Sequence, residues 1–333
     1  MLIGFAYDLI DDYLAQGYSA EQAAEFDSPI TIDCIQKALE ANGHTVERIG
    51  GIKALAAALV AGKRWDLVFN ITEGMFGLGR EAQVPALLDA YQIPYTFSPT
   101  EVMVITMDKG MAKRIVRDAG VTTTGFAIVN NAVEAKAVTL PYPLFVKPLA
   151  DGTSKGVSEK SVVRSEAELI ERCREVNENF GQPALVETFL SGREFTVGIL
   201  GGGETARVVG VMEITFAPEG DQSCYSYRNK VDAHDILTVV DDADSRRAGA
   251  LGLAAWRVLG CCDGGRIDVR LDEKGVPHFI EANPLAGLRP DYSEFPVLAK
   301  QAGIAYEKLI GTIVEEAAKR QGVWGKHENR RIA

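Results

Sequence analysis

The sequence predicts an α/β protein: an open parallel sheet at the N-terminal end, followed by lobes of mixed helix and strand. Three observations carry that reading. A strand–helix–strand rhythm runs through the N-terminal third, as expected where helices cover both faces of a parallel sheet. Beyond it, short apolar runs alternate with glycine-bearing turns and one long polar helix. The chain has 333 residues, more than one simple domain usually holds, so two or three lobes sharing clefts are expected.

Taken in order, LIGFAYD (2–8) is a buried strand, and SPITIDCIQKALEANGH (28–44) is a helix opened by Ser28-Pro29 and closed at Asn42-Gly43. HTVERI and WDLVFNI are further strands around an alanine-rich helix. NITEGMFGLGREAQVPALLDAYQIPYT (70–96) is a glycine-bearing loop, a helix and a short edge strand, at the carboxyl end of the sheet where such folds bind ligands. MDKGMAKRIVRDAGV (107–121) is helical and leads into the strand PLFVKP (143–148). The loop DGTSKGVS (151–158), the helix SEAELIERCREVNENF (165–180) and the strand–turn–strand ALVETFLSGREFTVGILGGG (184–203) follow. Gly201-Gly202-Gly203 is read as a hairpin turn rather than a phosphate loop. Residues 221–244 form a long polar stretch in the style of an active-site lid. A helix over 245–259 precedes a hairpin at 266–284, and the tail after Trp324 is basic, polar and loose.

Composition narrows the function. The formal net charge of −11 argues against non-specific nucleic-acid binding and against docking on an anionic membrane. MLIGFAYDLIDD lacks the basic start of a signal peptide, and no apolar run reaches the length of a membrane span. Cys34, Cys173, Cys224, Cys261 and Cys262 show no CxxC spacing, and His44, His234, His278 and His327 are too scattered for a zinc site. A cytoplasmic enzyme or binding protein is the consistent picture, and the charge balance says little about small-molecule substrates.

The chemistry concentrates in RIDVRLDEKGVPHFIEANP (266–284). Asp272-Glu273-Lys274-Gly275 reads as its turn. If Leu271 pairs with Val276, Asp268 lies opposite Phe279, and Glu281 and Asn283 share its face. Two carboxylates and an amide oxygen suit Mg²⁺ carrying a nucleotide phosphate better than zinc; a surface hairpin with solvated acids is the alternative. Lys147 stands in an otherwise apolar strand, where burial demands an anion, either a phosphate or a structural carboxylate. DGTSKG offers hydroxyls and backbone amides to phosphates but matches neither GxxxxGK[ST] nor GxGxxG. Glu187 and Glu194, around Phe189-Leu190, are placed for an adenine amine or ribose hydroxyls, or are ordinary exposed acids.

The joint order of Lys109 after Met107-Asp108, Lys147, the hydroxyl–glycine loop, ETFLSGREF, GRIDV and EANP is more specific than any one of them. In that order the chain resembles the ATP-grasp superfamily, and within it the D-alanine–D-alanine ligases, through to AKQAGIAYEKLI (299–310). The resemblance implies an N-terminal α/β domain (1–104), a central ATP-grasp lobe (105–184), a C-terminal lobe with the metal site (185–320) and a loose tail (321–333), the two lobes clamping ATP. It implies that Lys109 and Lys147 contact the α- and β-phosphates, with Glu187 at the adenine, Phe189 and Leu190 at its backbone contacts, and Glu194 at the ribose. Lys230 of SYRNK matches the lid lysine for the γ-phosphate, and Thr153 and Ser154 match the hydroxyls of the closing loop. Asp268, Glu281 and Asn283 match the ligands of two Mg²⁺ ions, for which Mn²⁺ could substitute. Arg266 and the Gly287 amide match the groups that hold the oxyanion. A homodimer is also implied.

The substrate end departs from that pattern. Glu73 replaces the histidine of the first loop, and Val231 the lid tyrosine. PLAGLRPDYSEFP stands where a Thr-Ser-Pro-Gly-Met stretch and an acceptor-carboxylate serine are expected, leaving Arg289 and Ser293 as substrate candidates. Glu25 and Asp27 both compete for the glutamate that meets the substrate amine. The expected function is an ATP-dependent carboxylate–amine ligase acting through an acyl phosphate on amino acids or small peptides. A genuine D-alanine–D-alanine ligase and a non-catalytic ATP-binding protein are the alternatives.

Overall fold

The computed structural model describes residues 1–221, 229 and 235–323, and its strands form three sheets. The first is parallel, in the order β2-β1-β3, from β1 (Leu2–Tyr7), β2 (Thr45–Gly50) and β3 (Leu67–Ile71). Every residue of β3 is buried, as the uninterrupted apolar run requires of a strand covered on both faces. Helix α1 spans Ile10–Ala15. Helix α2 (Pro29–Ala41) begins where the Ser28 hydroxyl accepts from the Thr31 amide, with Pro29 in its first turn. Helix α3 (Ile52–Val60) joins β2 to β3, and α4 (Gln83–Ala90) and α5 (Thr100–Met107) follow. The edge strand expected near residue 95 reduces to one parallel bridge, Val68 with Tyr95, because Pro94 lacks an amide to continue the ladder.

Helix α6 (Lys109–Asp118), capped by the Asp108 carboxylate, leads into an antiparallel sheet in the order β4-β7-β5-β6. Its strands are β4 (Phe126–Val129), β5 (Leu144–Pro148), β6 (Val162–Val163) and β7 (Ala184–Thr188), and α7 (Glu166–Phe180) covers one face through Leu169, Cys173 and Val176. The third sheet runs β10-β9-β8-β11-β12, from β8 (Glu194–Leu200), β9 (Arg207–Phe216), β10 (Asp235–Val239), β11 (Gly264–Leu271) and β12 (Pro277–Asn283). Helix α8 (Ala243–Leu259) lies on it so closely that a Cβ at Gly252 would stand 3.0 Å from Val197. Helices α9 (Glu294–Gln301) and α10 (Tyr306–Arg320) complete the described chain.

Several expectations change here. The strand, turn and strand over 184–203 form as expected, and because β7 and β8 belong to different sheets the turn is a crossing point between them. Residue 184 is the first of β7, and the middle sheet therefore continues to Thr188. Within the stretch expected as a lid, 235–239 is an edge strand paired with β9; 222–228 and 230–234 lie outside the described residues. The start of the tail is tied down, since Gln321 bonds both main-chain polar groups of Tyr95 and Val323 is buried. Helix α10 reaches beyond its own sheet, with Leu309 and Ile313 in one core with Leu200 of β8 and with Ile32 and Leu39 of α2. Burial of apolar surface thus ties the end of the chain to its beginning.

Candidate active site

The hairpin of β11 and β12 has a different register from the one expected. Asp272 Oδ1 accepts from the amides of Lys274 and Val276, so Val276 belongs to the turn and Leu271 pairs with Pro277. A bulge after Asp268 then skips Ile280, which puts Asp268 opposite Glu281 rather than Phe279. Arg266 faces Asn283 two pairs further along. The expected same-face group is therefore assembled by direct cross-strand pairing. Asp268 accepts from Arg266 Nη1 (2.5 and 2.6 Å), Thr196 Oγ1 (2.6 Å) and Asn283 Nδ2 (3.1 Å). Arg266 Nε is buried and has no hydrogen-bond partner among the described residues.

Three lysines converge on the same acids. Lys147 Nζ is 3.3 Å from both Glu187 and Glu281. Lys109 Nζ donates to the Asp151 carbonyl (2.6 Å) and lies 3.8 Å from Glu281. Lys113, wholly buried, lies 2.6 Å from Glu187. Burial works against the charge of Glu281, but the Lys109, Lys147 and Arg266 cations outweigh it and hold its carboxyl far below the usual range. For Glu187, burial is likewise overcome by Lys113 and Lys147, and the pKa falls to about 2. Lys147 loses by burial and regains more from the two glutamates, so its ammonium is held protonated. Both readings of Lys147 thus share one geometry: the structural carboxylates are the ones expected around the nucleotide.

Lys109, Lys147, Glu187, Arg266, Asp268 and Glu281 line an open cleft of about 890 Å³ between the two antiparallel sheets, with Phe145, Pro148, Phe189 and Leu190 as its apolar walls. At its rim Glu194 lies 3.2 Å from Arg270, whose guanidinium sits 5.4 Å from the Phe189 ring. Burial raises the Glu194 pKa, with Arg270 offsetting it in part. Thr153 and Ser154 face the cleft from a loop whose backbone is left-handed at both residues (φ 51° and 55°), a costly conformation for side chains with a Cβ. The loop is held by Glu25, which accepts from the Gly152 amide (2.7 Å) and pairs with Lys155 (2.9 Å) and Arg80 (2.9 Å).

Sequence reasoning missed Lys113, Arg80, Lys155 and Arg270. Only Lys113 left a signal, one helical turn after Lys109 on a face otherwise made of Ala112 and Val116. Arg80 resolves part of the competition between Glu25 and Asp27: Glu25 is committed to the loop and to Arg80. Asp27, Glu73 and Glu81 gather beside it. Burial and the nearby Asp8 push Asp27 up to about 7, and burial, only partly offset by Arg80, brings Glu81 to about 7. Glu73 is raised well above the usual range by burial and by Glu81.

These raised acids have a consequence for stability. Between the unfolded and folded pKa values the native state binds more protons, so stability falls as pH rises from about 4.5 to 7. Glu81→Gln removes one such group. Its melting temperature should match the wild type at pH 5 and exceed it by roughly 2–4 °C at pH 8; parallel curves from pH 5 to 8 would contradict the assignment.

The remaining expected residues stand elsewhere. Gly287 is exposed, with Ser293 so near that a Cβ on Gly287 would lie 2.9 Å from its hydroxyl. Ser293 Oγ accepts from the Arg289 amide (3.2 Å), and the Arg289 guanidinium stacks 4.7 Å above the Tyr292 ring. None of these three lines the cleft, and neither does Glu73. Lys230 and Val231 lie outside the described residues.

A divalent cation fits this site by the chemistry of its donors. Among the described residues no three His, Cys, Asp or Glu side chains are grouped to hold a metal by themselves. Asp268, Glu281 and the Asn283 amide oxygen offer a partial, hard-oxygen set that phosphate and water oxygens must complete, as Mg²⁺ prefers.

Residues 115–315 match the family model described as D-ala D-ala ligase C-terminus. The D-alanine–D-alanine ligase B of Xanthomonas campestris pv. campestris is 31% identical over 91% of this chain and 93% of its own length. The D-alanine–D-alanine ligase of Methylobacterium radiotolerans is 32% identical over 92% and 97%. The crystal structure of D-alanine–D-alanine ligase from Bacillus anthracis superposes with a TM-score of 0.76 at 25% identity, covering 97% of this chain and 99% of that one.

Proposed function

Because the chain belongs to the D-alanine–D-alanine ligase family of ATP-grasp enzymes, we propose that its cleft binds ATP and activates a carboxylate as an acyl phosphate. It is an ATP-dependent ligase that forms an amide bond between small molecules. The observation that carries the reading is the facing of Asp268 and Glu281 within a ring of Lys109, Lys147 and Arg266. Phosphoryl transfer asks chiefly for positioning and charge neutralisation, which such a ring supplies.

Glu187, with the main chain around Phe189 and Leu190, takes the adenine, and Glu194 takes the ribose. Lys109 and Lys147 take the α- and β-phosphates, the Thr153–Ser154 loop closes over them, and Lys230 reaches the γ-phosphate. The substrate carboxylate oxygen bonds to the γ-phosphorus as the bond to ADP breaks. An amine then attacks the acyl carbon, loses a proton, and expels phosphate as the amide forms. Arg266 Nε, the buried donor without a partner among the described residues, stabilises the oxyanion of that step; the Gly287 amide, outside the cleft, is the second donor that the family pattern offers. Asp268, Glu281 and Asn283 would hold two Mg²⁺ ions, which neutralise phosphate charge when bound. Lobes 1–104, 105–184 and 185–320 form the clamp, with the middle one drawn to include β7. A cytoplasmic homodimer completes the proposal; no described helix is long and apolar enough to cross a membrane.

The substrates are amino acids or small peptides other than a pair of D-alanines. Glu25 is committed to Arg80 and Lys155, and the Glu73–Glu81 carboxyl pair is placed for a cationic group. Arg289, which has no carboxylate partner among the described residues, and Ser293 serve the acceptor end. The names of the relatives favour one second reading, D-alanine–D-alanine ligation itself. Phosphate release from Mg²⁺–ATP across D- and L-amino acids, singly and in pairs, with mass spectrometry of the products, separates the two. Release only with a pair containing a cationic amino acid is expected. Release with D-alanine alone, giving its dipeptide, would establish the second reading, and no release with any pair would sink both.

A further inference from the structure

Lys113 has no place in the reaction described above, yet among the described residues it is the most enclosed charge. Its ammonium is fully buried and lies 2.6 Å from Glu187 Oε1, 3.1 Å from Thr123 Oγ1, 3.2 Å from the Phe279 carbonyl and 3.4 Å from Thr124 Oγ1. An ammonium has three protons, and these partners use them all. Lys113 does not line the cleft, so it reaches no ligand.

Its effect runs through Glu187. Oε1 of that glutamate is tied down by Lys113 and by Thr124 Oγ1 (2.9 Å). Oε2 is left toward Lys147, 3.3 Å away, and the cleft. Lys147 stands between Glu187 and Glu281, so two buried carboxylates compete for one ammonium that must also serve a phosphate. With Lys113 present, Glu187 is already neutralised, and Lys147 keeps its charge for the cleft. A carboxylate held in this way accepts hydrogen bonds only. It suits the exocyclic amine of adenine and repels the carbonyl oxygen that guanine carries at the same place.

We propose that Lys113 is a positioning residue which, by clamping Glu187, sets both the affinity for the nucleotide phosphates and the preference for adenine over guanine. The inference rests on the nucleotide site proposed above.

Calorimetric titration of the full-length protein with Mg²⁺–ATP and Mg²⁺–GTP tests it, with thermal melting alongside. Three proteins are compared: wild type, Lys113→Met, and Lys113→Met/Glu187→Gln. Lys113→Met should bind ATP roughly thirtyfold more weakly, because Lys147 is drawn back to the unneutralised Glu187. The double variant removes that charge. It should recover ATP binding to within roughly threefold of wild type, while its ATP-over-GTP preference falls roughly tenfold because a glutamine amide can also donate.

A merely structural Lys113 would lower the melting temperature while Lys113→Met still bound Mg²⁺–ATP as tightly as the wild type, and that result would overturn the proposal. So would a double variant that binds ATP as weakly as Lys113→Met. Should Lys113→Met not fold, the double variant decides alone: lost preference with retained ATP affinity supports the clamp, whereas weak ATP binding or wild-type preference refutes it. Wild-type protein that binds neither nucleotide would remove the nucleotide site itself, whereas normal wild-type binding with an unaffected Lys113→Met would remove only the clamp.

Discussion

Arg266→Ala should lower turnover by roughly 10²–10³-fold while Mg²⁺–ATP still binds, the loss expected when one preorganised oxyanion donor is removed. The geometry divides the guanidinium between two tasks. Nη1 is spent on Asp268, and the buried Nε has no partner among the described residues. A buried donor left open is costly unless a ligand atom fills it, and the acyl oxygen of the tetrahedral intermediate is the atom whose charge grows during reaction. The loss should therefore fall on kcat, with KM for ATP nearly unchanged. Phosphate release in the presence of both substrates measures the first, and calorimetry with Mg²⁺–ATP the second. Near-normal turnover in a folded variant would remove Arg266 from the chemistry.

Glu281→Gln should be as damaging, by a different route. The carboxylate balances Lys109 and Lys147 and faces Asp268 across the hairpin. With glutamine there, a hard anionic ligand is lost and two ammoniums are left closer to uncompensated. Turnover is expected to drop by about 10²–10³-fold, corresponding to about 3–4 kcal/mol at the transition state. Unlike Arg266→Ala, this variant should also need a much higher Mg²⁺ concentration for half-maximal activity. A magnesium titration of phosphate release separates the two. An unshifted magnesium requirement would show that Glu281 balances lysines and holds no metal.

The hairpin shows how far a sequence carries such an argument. Alternation placed Asp268, Glu281 and Asn283 on one face because the two-residue period of a strand is a local property. Their pairing was not local. Asp272 absorbs Val276 into the turn and a bulge skips Ile280, and the two shifts together bring the acids opposite one another. The cleft proposed for the nucleotide left a signal for a related reason: Lys147 in an apolar strand announces a buried anion, whichever one it proves to be.

The substrate end was less legible. Glu73 reads as a lone exchange in the sequence, yet in the fold it joins Glu81, Asp27 and the Glu25–Arg80 pair, drawn from two loops far apart in the chain. No spacing rule reports that Glu25 is already occupied. The strand, turn and strand of 184–203 were legible, but such a pattern looks alike whether the strands pair or part into separate sheets.

By itself, then, the sequence determined most of the elements and the kinds of side chain available to the site, which depend on neighbours a few residues away, while the edge strand 235–239 and the lone bridge at Tyr95 depended on the strands beside them. Tertiary structure alone decided which charges neutralise one another. The electrostatic fate of a buried group depends on the nearest opposite charge and on the exclusion of water, and for Lys113 with Glu187, as for Glu25 with Arg80, those partners come from different elements of the fold.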